Sequence, residues 1–197
     1  SLLGAKLLAR PDSKRLLIVG TGTVAGNLVD CYRAWWPDIE IEVWGRSIEK
    51  AEDLAKQKDA SAASNLQKAV ERADIISCAT MAKEPVVIGE WLQPGQHLDL
   101  IGAFKSDMRE VDDLALQRAK IFVDSRETTI DHIGELKIPL ATGAIQRSDV
   151  LADLYDLANG APARQSNGDI TLFKNGGGAH LDLMTGKMIL AAWAGQG

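Results

Sequence analysis

A glycine-rich segment after a short apolar run has the spacing of a loop that binds nucleotide phosphates. The run LLIVG ends at Gly20 and continues as TGTVA, so residues 20–25 match G-x-G-x-x-A. In that pattern Gly20 allows a tight turn, Gly22 lets a pyrophosphate approach the backbone, and Ala25 is small enough for close helix–strand packing. N–H groups at the start of the next helix would face the anion. A glycine-rich turn without a ligand is the alternative, because this pattern alone is weak evidence.

The end of the second predicted strand indicates which dinucleotide is preferred. Sites for NAD place Asp or Glu about twenty residues after the glycines, where the carboxylate binds the ribose 2′-hydroxyl. This chain has Gly45, Arg46 and Ser47 there, with Lys50 one helical turn later and no carboxylate at the strand end. Two cations favour a 2′-phosphate, so we expect NADP(H), with NAD(H) as the alternative cofactor. A solvated helix start without any ligand would also explain Arg46 and Lys50.

A second glycine cluster lies late in the sequence and is followed by an aspartate. Residues 176–178 are all glycine, Asn175 before them is a candidate N-cap, and a helix is expected over about 177–194. Asp182 falls in the first turns of that helix. A carboxylate there could hold a substrate amine or transfer a proton. The simpler alternative is a solvent-facing aspartate that only complements the helix dipole.

The candidate residues can form one site only if the strands before them end at the same edge of a sheet, and the sequence predicts such a sheet. Short apolar runs alternate with segments of helical periodicity, which is typical of a parallel sheet with helices on both faces. The predicted strands are 16–20, 39–45, 73–80, 97–103, 120–125 and 169–175, and further helices are predicted over 23–36, from Ser47, around 86–92 and 111–119, and over 149–159. Residues 127–148 are less regular, with turns expected at Pro139 and Gly143. The predicted fold class is α/β, a doubly wound Rossmann-type parallel sheet.

The composition is that of one globular domain and argues against several other classes of protein. The 197 residues are 46% hydrophobic and 25% charged, with a net charge of −5 at pH 7. This balance predicts no nucleic-acid partner and no polybasic membrane surface, and no apolar run is long enough to span a bilayer. The two cysteines, Cys31 and Cys78, lack metal-ligand spacing and suit a reducing, cytoplasmic setting. No metal site is expected.

Nearly the whole chain resembles, in order, the ornithine cyclodeaminase/mu-crystallin family. The matching stretches are ARPDSKRLLIVGTGTVA (9–25), VWGRS (43–47), ADIISCAT with EPVV (73–87), LQPGQHLDLIGAFKSDMREVD (92–112), VDSRE (123–127), GEL (134–136) and DITLFKNGGGAHLDL (169–183). The mu-crystallin branch, which uses NADPH, is most similar around residues 44–47 and 107–110. The resemblance therefore implies the NAD(P)-binding portion of that family.

The resemblance also implies roles for particular residues. The implied cofactor contacts are Gly20, Thr21, Gly22, Thr23, Val24 and Ala25 in the phosphate loop, Arg46, Ser47 and Lys50 at the adenosine phosphate, Ala79 and Thr80 at the end of the strand over 73–80, and Ile101 and Gly102 beside the nicotinamide. Asp182 matches the active-site aspartate of the family. The chain departs from the family pattern at Val24, Asn175, Gly176 and Gly178, which bears on the substrate more than on the cofactor.

By the same resemblance, residues 13–175 would form the dinucleotide-binding domain, and 1–12 and 176–197 would be terminal helical segments of the family's substrate and dimerisation domain. Family members carry a lysine and arginines for the substrate carboxylate ahead of the stretch matching Ser1, and no residue of this sequence can be assigned that role. The two terminal segments carry apolar residues that we expect to cover one another or to form a homo-oligomer interface: Leu2, Leu3, Leu7, Leu8, Leu190 and Trp193.

The implied function is an NADP(H)-dependent oxidoreductase that acts on the C–N bond of a small amino or imino acid, for example in the reduction of Δ1-pyrroline-2-carboxylate. Asp182 would handle the amine proton. One alternative is an NAD-dependent ornithine cyclodeaminase, in which an amine is oxidised, ammonia leaves and the imine is reduced again. The others are a non-catalytic module that holds NADPH and a small ligand, and a structural or regulatory domain with a vestigial pocket.

Overall fold

The computed structural model describes residues 1–195, except for the side chains of residues 179–181, and shows an eight-stranded sheet. The strands are β1 Arg15–Val19, β2 Glu40–Trp44, β3 Ser61–Ala62, β4 Ile75–Cys78, β5 His97–Leu100, β6 Ala119–Val123, β7 Val150–Asp153 and β8 Ile170–Lys174. Their order is β3-β2-β1-β4-β5-β8-β6-β7, and every neighbouring pair runs parallel. The predicted parallel sheet is confirmed.

Helices connect these strands. They are α1 Leu2–Leu8, α2 Thr23–Trp35, α3 Ile48–Gln57, α4 Leu66–Arg72, α5 Asp113–Arg118, α6 Arg126–Thr129, α7 Gly134–Thr142, α8 Leu154–Ala158 and α9 Ala179–Ala194, with 3₁₀ turns at Gly89–Trp91 and Arg147–Asp149. Among residues 1–195, no helix has the length and apolar character needed to cross a membrane.

The hydrophobic core lies on both faces of the sheet, because successive side chains of a strand point to opposite sides. Leu16 and Ile18 of β1 pack with buried residues of α2 and α3. Leu17 and Val19, the alternate residues of the same strand, pack in a larger cluster with residues of α4 and α5. Strands covered on both faces carry continuous apolar runs, which the sequence shows. The doubly wound Rossmann-type fold is therefore confirmed.

Four of the helices, α3, α4, α5 and α8, begin at a side chain that caps the first free N–H groups. Ser47 accepts the Lys50 amide at the start of α3, at 3.3 Å, and Asp112 accepts the Ala115 amide at the start of α5, at 2.9 Å. Helix α2 differs, because its N-cap is Gly22 and has no side chain to offer. The first N–H groups of α2 are thus left for another partner.

The predicted helix over 149–159 is wrong in its first half. Residues 150–153 form β7, which pairs with β6, and only Leu154–Ala158 is helical. Val150 and Ala152 are buried while Leu151 is 51% exposed, so this segment follows the two-residue period of a strand. Four residues are too few for a sequence pattern to separate that period from a helical one.

Other local predictions also need correction. The segment around 86–92 contains only a 3₁₀ turn, because the amides of Val86 and Val87 bond to the carbonyl oxygen of Glu110, at 2.9 and 3.0 Å, instead of continuing a helix. Pro139 lies inside α7 and not in a turn, whereas Gly143, with φ of 77°, ends that helix as expected. Strand β3 and helix α4 were not predicted at all.

Candidate active site

The residues predicted to bind a cofactor meet at one edge of the sheet, because parallel strands end on the same side. Gly20, Gly45, Ala79 and Ile101 directly follow β1, β2, β4 and β5. Neighbouring ends are in contact: a Cβ added to Gly20 would lie 2.6 Å from the Ala79 carbonyl oxygen, and one added to Gly45 would lie 2.5 Å from Cγ2 of Thr21. The strand order reverses between β1 and β4, the kind of switch point at which open α/β sheets bind ligands.

The glycine loop has the geometry of an anion-binding turn. Gly20 has φ of 138°, which side-chain-bearing residues rarely adopt, and a Cβ added to Gly22 would meet no atom within 4 Å. Thr23 and Val24 are exposed in the first turn of α2, while Ala25 is fully buried beneath it. The amides at the start of α2 therefore border open space, and the loop fits the pyrophosphate of a dinucleotide.

The segment from the end of β2 into the first turn of α3 carries two cations and a carboxylate. Arg46 and Lys50 are exposed, as a phosphate contact requires. The Ser47 hydroxyl, which caps α3, donates a hydrogen bond to Oε2 of Glu49 at 2.6 Å, and this bond lowers the pKa of Glu49. Glu49 is not among the predicted site residues, although an acidic residue two positions after an N-cap serine is a recognisable first-turn pattern.

A buried glutamate, absent from the sequence prediction, joins the ends of β4 and β5. Oε1 of Glu110 accepts the amide and the hydroxyl of Thr80, at 2.8 and 2.9 Å. Its Oε2 accepts the amides of Gly102 and Ala103, at 2.8 and 3.2 Å. The fit is close, since a Cβ added to Gly102 would lie 2.0 Å from the Thr80 carbonyl oxygen. No local sequence pattern marks Glu110, because Thr80 comes from another loop and Gly102 and Ala103 lie eight and seven residues before it.

Two further buried charges surround Glu110. Glu135 accepts the backbone amides of Glu110 and Val111 at 2.8 and 3.0 Å. Lys174, at the end of β8, donates from Nζ to the carbonyl oxygens of Leu100 and Asn175 at 2.9 and 2.7 Å. All three charged side chains have no exposed surface. Their polar atoms are satisfied mainly by backbone groups at the strand ends, which fixes those ends in place.

Burial and mutual charge shift the pKa values of this cluster. The pKa of the Glu110 carboxyl is raised to about 7, first by burial and then by the carboxylate of Glu135, while Lys174 opposes the shift. Burial also raises the pKa of Glu135, again opposed by Lys174. The pKa of the Lys174 ammonium is lowered by burial, against the attraction of both carboxylates. The cluster therefore holds charges that solvent does not stabilise.

The second glycine cluster is held by another buried carboxylate that the sequence analysis did not single out. Oδ2 of Asp124, directly after β6, accepts the amides of Gly176 and Gly177, both at 2.9 Å. Oδ1 of Asp124 accepts the Thr129 hydroxyl at 2.6 Å. Asn175 accepts the Gly177 amide at 3.0 Å, so it shapes the loop, but the N-cap of α9 is Gly178 and not Asn175. A polar residue at the end of a buried strand was the available signal for Asp124.

Asp182 lies in the first turn of α9, and its side chain is exposed. The structure thus places it on the helix that follows the glycine cluster, beyond the edge where the predicted cofactor contacts meet. A cavity of about 410 Å³ lies between α1, the start of α8, the end of β8 and α9, and its lining includes Asp124, Phe173, Asn175 and Met184. This cavity is mostly apolar, with a carboxylate and an amide at its polar side.

The terminal helices cover each other less than expected. Leu8 of α1 is fully buried against Phe122 and Phe173 of the sheet. Leu190 and Trp193 of α9 are 70% and 79% exposed, so the prediction that the two segments cover one another is wrong for these residues. The apolar side chains of α9 are exposed because no other element of the described chain packs against them. That they form a homo-oligomer interface stays a prediction.

Sequence comparisons identify a family and several relatives that the chain resembles along nearly its whole length. A model of the ornithine cyclodeaminase/mu-crystallin family matches residues 1–197. A Delta(1)-pyrroline-2-carboxylate reductase of Paracoccus denitrificans is 57% identical over 202 residues, covering 99% of this chain and 64% of that protein. The ketimine reductase mu-crystallin of Mus musculus is 36% identical over 197 residues, covering 98% of this chain and 60% of that protein.

A solved structure shows the same fold. Thermococcus litoralis Delta(1)-pyrroline-2-carboxylate reductase, in complex with NADH and L-proline, matches with a TM-score of 0.82 and 32% identity, covering 89% of this chain and 56% of that one. This chain spans about three-fifths of the length of these relatives. The match of the family model along the sequence, together with the identity to curated members, shows that the chain belongs to the ornithine cyclodeaminase/mu-crystallin family.

Proposed function

We propose that this protein is an NADP(H)-dependent oxidoreductase that acts on the C–N bond next to a carboxylate, with a cyclic ketimine such as Δ1-pyrroline-2-carboxylate as substrate. The observation that carries the proposal is the convergence, at one edge of the sheet, of an open glycine loop with a cationic strand end. The 57% identity to a protein named Delta(1)-pyrroline-2-carboxylate reductase supports the substrate class.

The dinucleotide would lie along the carboxyl ends of β1, β2, β4 and β5. Residues 20–25 would hold its pyrophosphate on the amides of α2. Ala79, Thr80, Ile101 and Gly102 would border the nicotinamide. When bound, this cofactor supplies the hydride that reduces the imine carbon.

We infer a preference for NADP(H) from the β2 end. Arg46, Ser47 and Lys50 would contact the 2′-phosphate, since two exposed cations and a hydroxyl suit a dianion better than a ribose hydroxyl. Glu49 acts in the opposite direction, because its carboxylate lies 2.6 Å from the Ser47 hydroxyl. The preference over NAD(H) is therefore modest, and a titration with both cofactors measures it.

Asp182 would hold or move the proton of the substrate nitrogen. It lies in the first turn of α9, two residues before Met184, which lines the cavity beside Asn175. Protonation of an imine nitrogen makes its carbon a better hydride acceptor, so a carboxylic acid group there assists the reduction. The glycines before α9 let its first turn approach a ligand closely.

We also propose a division of the chain by role. Residues 13–175 would form the dinucleotide-binding domain, while 1–12 and 176–197 would contribute to a substrate-binding and subunit-contact region. The exposed apolar residues of α9 support this assignment, because a second subunit would remove them from water. Sedimentation of the protein as a homo-oligomer is the expected result.

Consumption of NADPH in the presence of Δ1-pyrroline-2-carboxylate tests the proposed reaction. We expect turnover with wild-type protein and its loss in Asp182→Asn, with NADPH affinity unchanged. The matched control is Asp131→Asn, an exposed aspartate that pairs with Arg147 and should keep full activity. Release of ammonia from ornithine with NAD⁺, without ketimine reduction, would contradict the proposal in favour of a cyclodeaminase. Cofactor binding without either reaction would favour the non-catalytic alternative.

A further inference from the structure

Beyond the last hydrogen bond of the sheet, the ends of β4 and β5 are joined by one carboxylate. Four donors converge on Glu110, namely the Thr80 amide and hydroxyl and the amides of Gly102 and Ala103. Each of these backbone groups belongs to a strand end that the sheet leaves unpaired. Glu110 lies further along the loop between β5 and α5, and from there its carboxylate braces both strand ends.

Glu110 is held on both sides of its own backbone. Its amide donates to Oε2 of Glu135 at 2.8 Å, and its carbonyl oxygen accepts the amides of Val86 and Val87 at 2.9 and 3.0 Å. Because the backbone of Glu110 is fixed in this way, its carboxylate holds the ends of β4 and β5 in a defined position relative to the Val86–Val87 segment and Glu135. The ends of β4 and β5 therefore have little freedom to move apart while the carboxylate is present.

We propose that Glu110 is a positioning residue for the nicotinamide half of the cofactor site, acting through Thr80 and Gly102. The inference rests on the proposed function, which places the nicotinamide beside those two residues. Glu110 is fully buried and its carboxylate is occupied by Thr80, Gly102 and Ala103, so it would not touch the cofactor. Its effect would be to hold the two strand ends at the separation that the ring requires.

The brace needs a carboxylate and not merely a polar group. A glutamine at position 110 would retain one acceptor oxygen, but its NH₂ group would face two of the four donors, because an amide cannot accept with its nitrogen. The positive charge of Lys174 stabilises the Glu110 carboxylate, whereas the negative charge of Glu135 destabilises it. Glu110→Gln is therefore expected to separate the strand ends without removing bulk from the core.

Comparison of two nucleotides tests the proposal. NADPH contains a nicotinamide, whereas 2′,5′-ADP contains only the adenosine and its phosphates. A defect confined to the nicotinamide half of the site therefore weakens the binding of NADPH and not that of 2′,5′-ADP. In Glu110→Gln we expect the Kd of NADPH to rise about tenfold or more, with the Kd of 2′,5′-ADP unchanged. Equal weakening of both would show general damage and overturn the proposal, as would unchanged NADPH binding.

A neighbouring carboxylate provides the control. Asp112, in the same loop, accepts the amides of Gly89 in the 3₁₀ turn and Ala115 in α5, instead of amides that follow β4 or β5. Asp112→Asn should lower stability while leaving the ratio of the two Kd values unchanged. A changed ratio in this variant would mean that any disturbance of the loop suffices, and would overturn the specific role of Glu110.

Hydrogen exchange measured without nucleotide tests the brace directly. We expect the amides of Thr80, Gly102 and Ala103 to lose protection in Glu110→Gln, while the Gly20 amide, which donates to the Trp44 carbonyl oxygen at 2.8 Å, keeps its protection. Retained protection at the three amides would overturn the proposal. Failure of the proposed function is distinguishable, because it is read on wild-type protein alone: either NADPH is not bound, or it is bound and the ketimine is not reduced.

Discussion

The buried carboxylate of Asp124 accepts the backbone amide of Gly176 at 2.9 Å, across 52 residues of sequence. The same oxygen accepts the amide of Gly177. This contact ties the end of β6 to the loop that leads into α9, and so it sets where the helix that carries Asp182 begins. A glycine loop without such an acceptor would have more than one conformation.

Asp124→Asn should therefore misplace the start of α9. The asparagine NH₂ group would meet N–H donors, which leaves buried groups unpaired and lowers the free energy of unfolding by about 1–3 kcal/mol. We expect ketimine turnover to fall at least tenfold while the Kd of NADPH is unchanged. Urea denaturation and steady-state kinetics measure the two effects. An active variant with normal stability would show that the loop does not depend on Asp124.

Gly22→Val tests the phosphate loop separately from the fold. Gly22 has φ of −87° and ψ of −176°, which valine adopts, and an added Cβ would meet nothing within 4 Å. The variant should fold with a Tm close to that of wild type and lose NADPH affinity at least tenfold. Gly20→Ala should instead lower stability, because its Cβ would lie 2.6 Å from the Ala79 carbonyl oxygen at a φ of 138°. Full NADPH affinity in Gly22→Val would place the pyrophosphate elsewhere.

Glu49→Gln should shift the cofactor preference further toward NADP(H). The carboxylate accepts a hydrogen bond from Ser47 beside the expected 2′-phosphate, so its removal relieves repulsion between like charges in a solvent-screened setting. We expect the Kd of NADPH to fall about two- to threefold, with that of NADH unchanged. Fluorescence titration measures both constants. Glu52→Gln, on the same helix, is the control, and an equal gain in that variant would refute a local effect of Glu49.

The buried His97 is expected to make the folded protein less stable at acidic pH. Burial lowers the pKa of His97 to about 4, with the Asp99 carboxylate opposing the shift and the Arg164 guanidinium adding to it. Between pH 4 and 6.5 the unfolded chain binds a proton that the folded chain excludes, so stability falls as the pH drops through 6.5. Linkage gives a loss of about 2 kcal/mol between pH 7.5 and 5.0.

His97→Gln removes this contribution, so its stability should change with pH by about 2 kcal/mol less than that of wild type over the same interval. Denaturant midpoints at the two pH values measure the difference. Groups whose pKa shifts act in the opposite direction, such as Glu110, are present in both proteins and cancel. His132→Gln, at an exposed position, should behave as wild type does. An identical pH dependence in His97→Gln and wild type would contradict the assignment.

The parts of the fold that sequence predicts well are those with a strong local signal. The run LLIVG followed by glycines locates β1, the loop and α2, because apolar periodicity and glycine conformation act within a few residues. The segment over 150–153 was misread as a helix because an edge strand of four residues carries too little periodicity.

The parts of the site that sequence missed depend on contacts between distant segments. Glu110 accepts the amide of Thr80 across 30 residues of sequence, and Asp124 accepts those of Gly176 and Gly177 across 52 and 53 residues. The position of Asp124 directly after a buried strand was the available local signal, and no comparable signal marks Glu110. Both are buried charges in a sequence where most acidic residues are solvent-exposed. Tertiary structure decides which carboxylates are buried, so their roles are identified from the structure and not from the sequence.

Transfer of deuterium from cofactor to product tests the central claim most directly. The protein would be given Δ1-pyrroline-2-carboxylate with NADPH labelled at C4 of the nicotinamide, using each of the two stereospecifically labelled forms in turn. The account predicts proline that carries one deuterium at its α-carbon with one of the two forms, detected by mass spectrometry. Absence of labelled proline with both forms, in protein shown to bind NADPH, would contradict it.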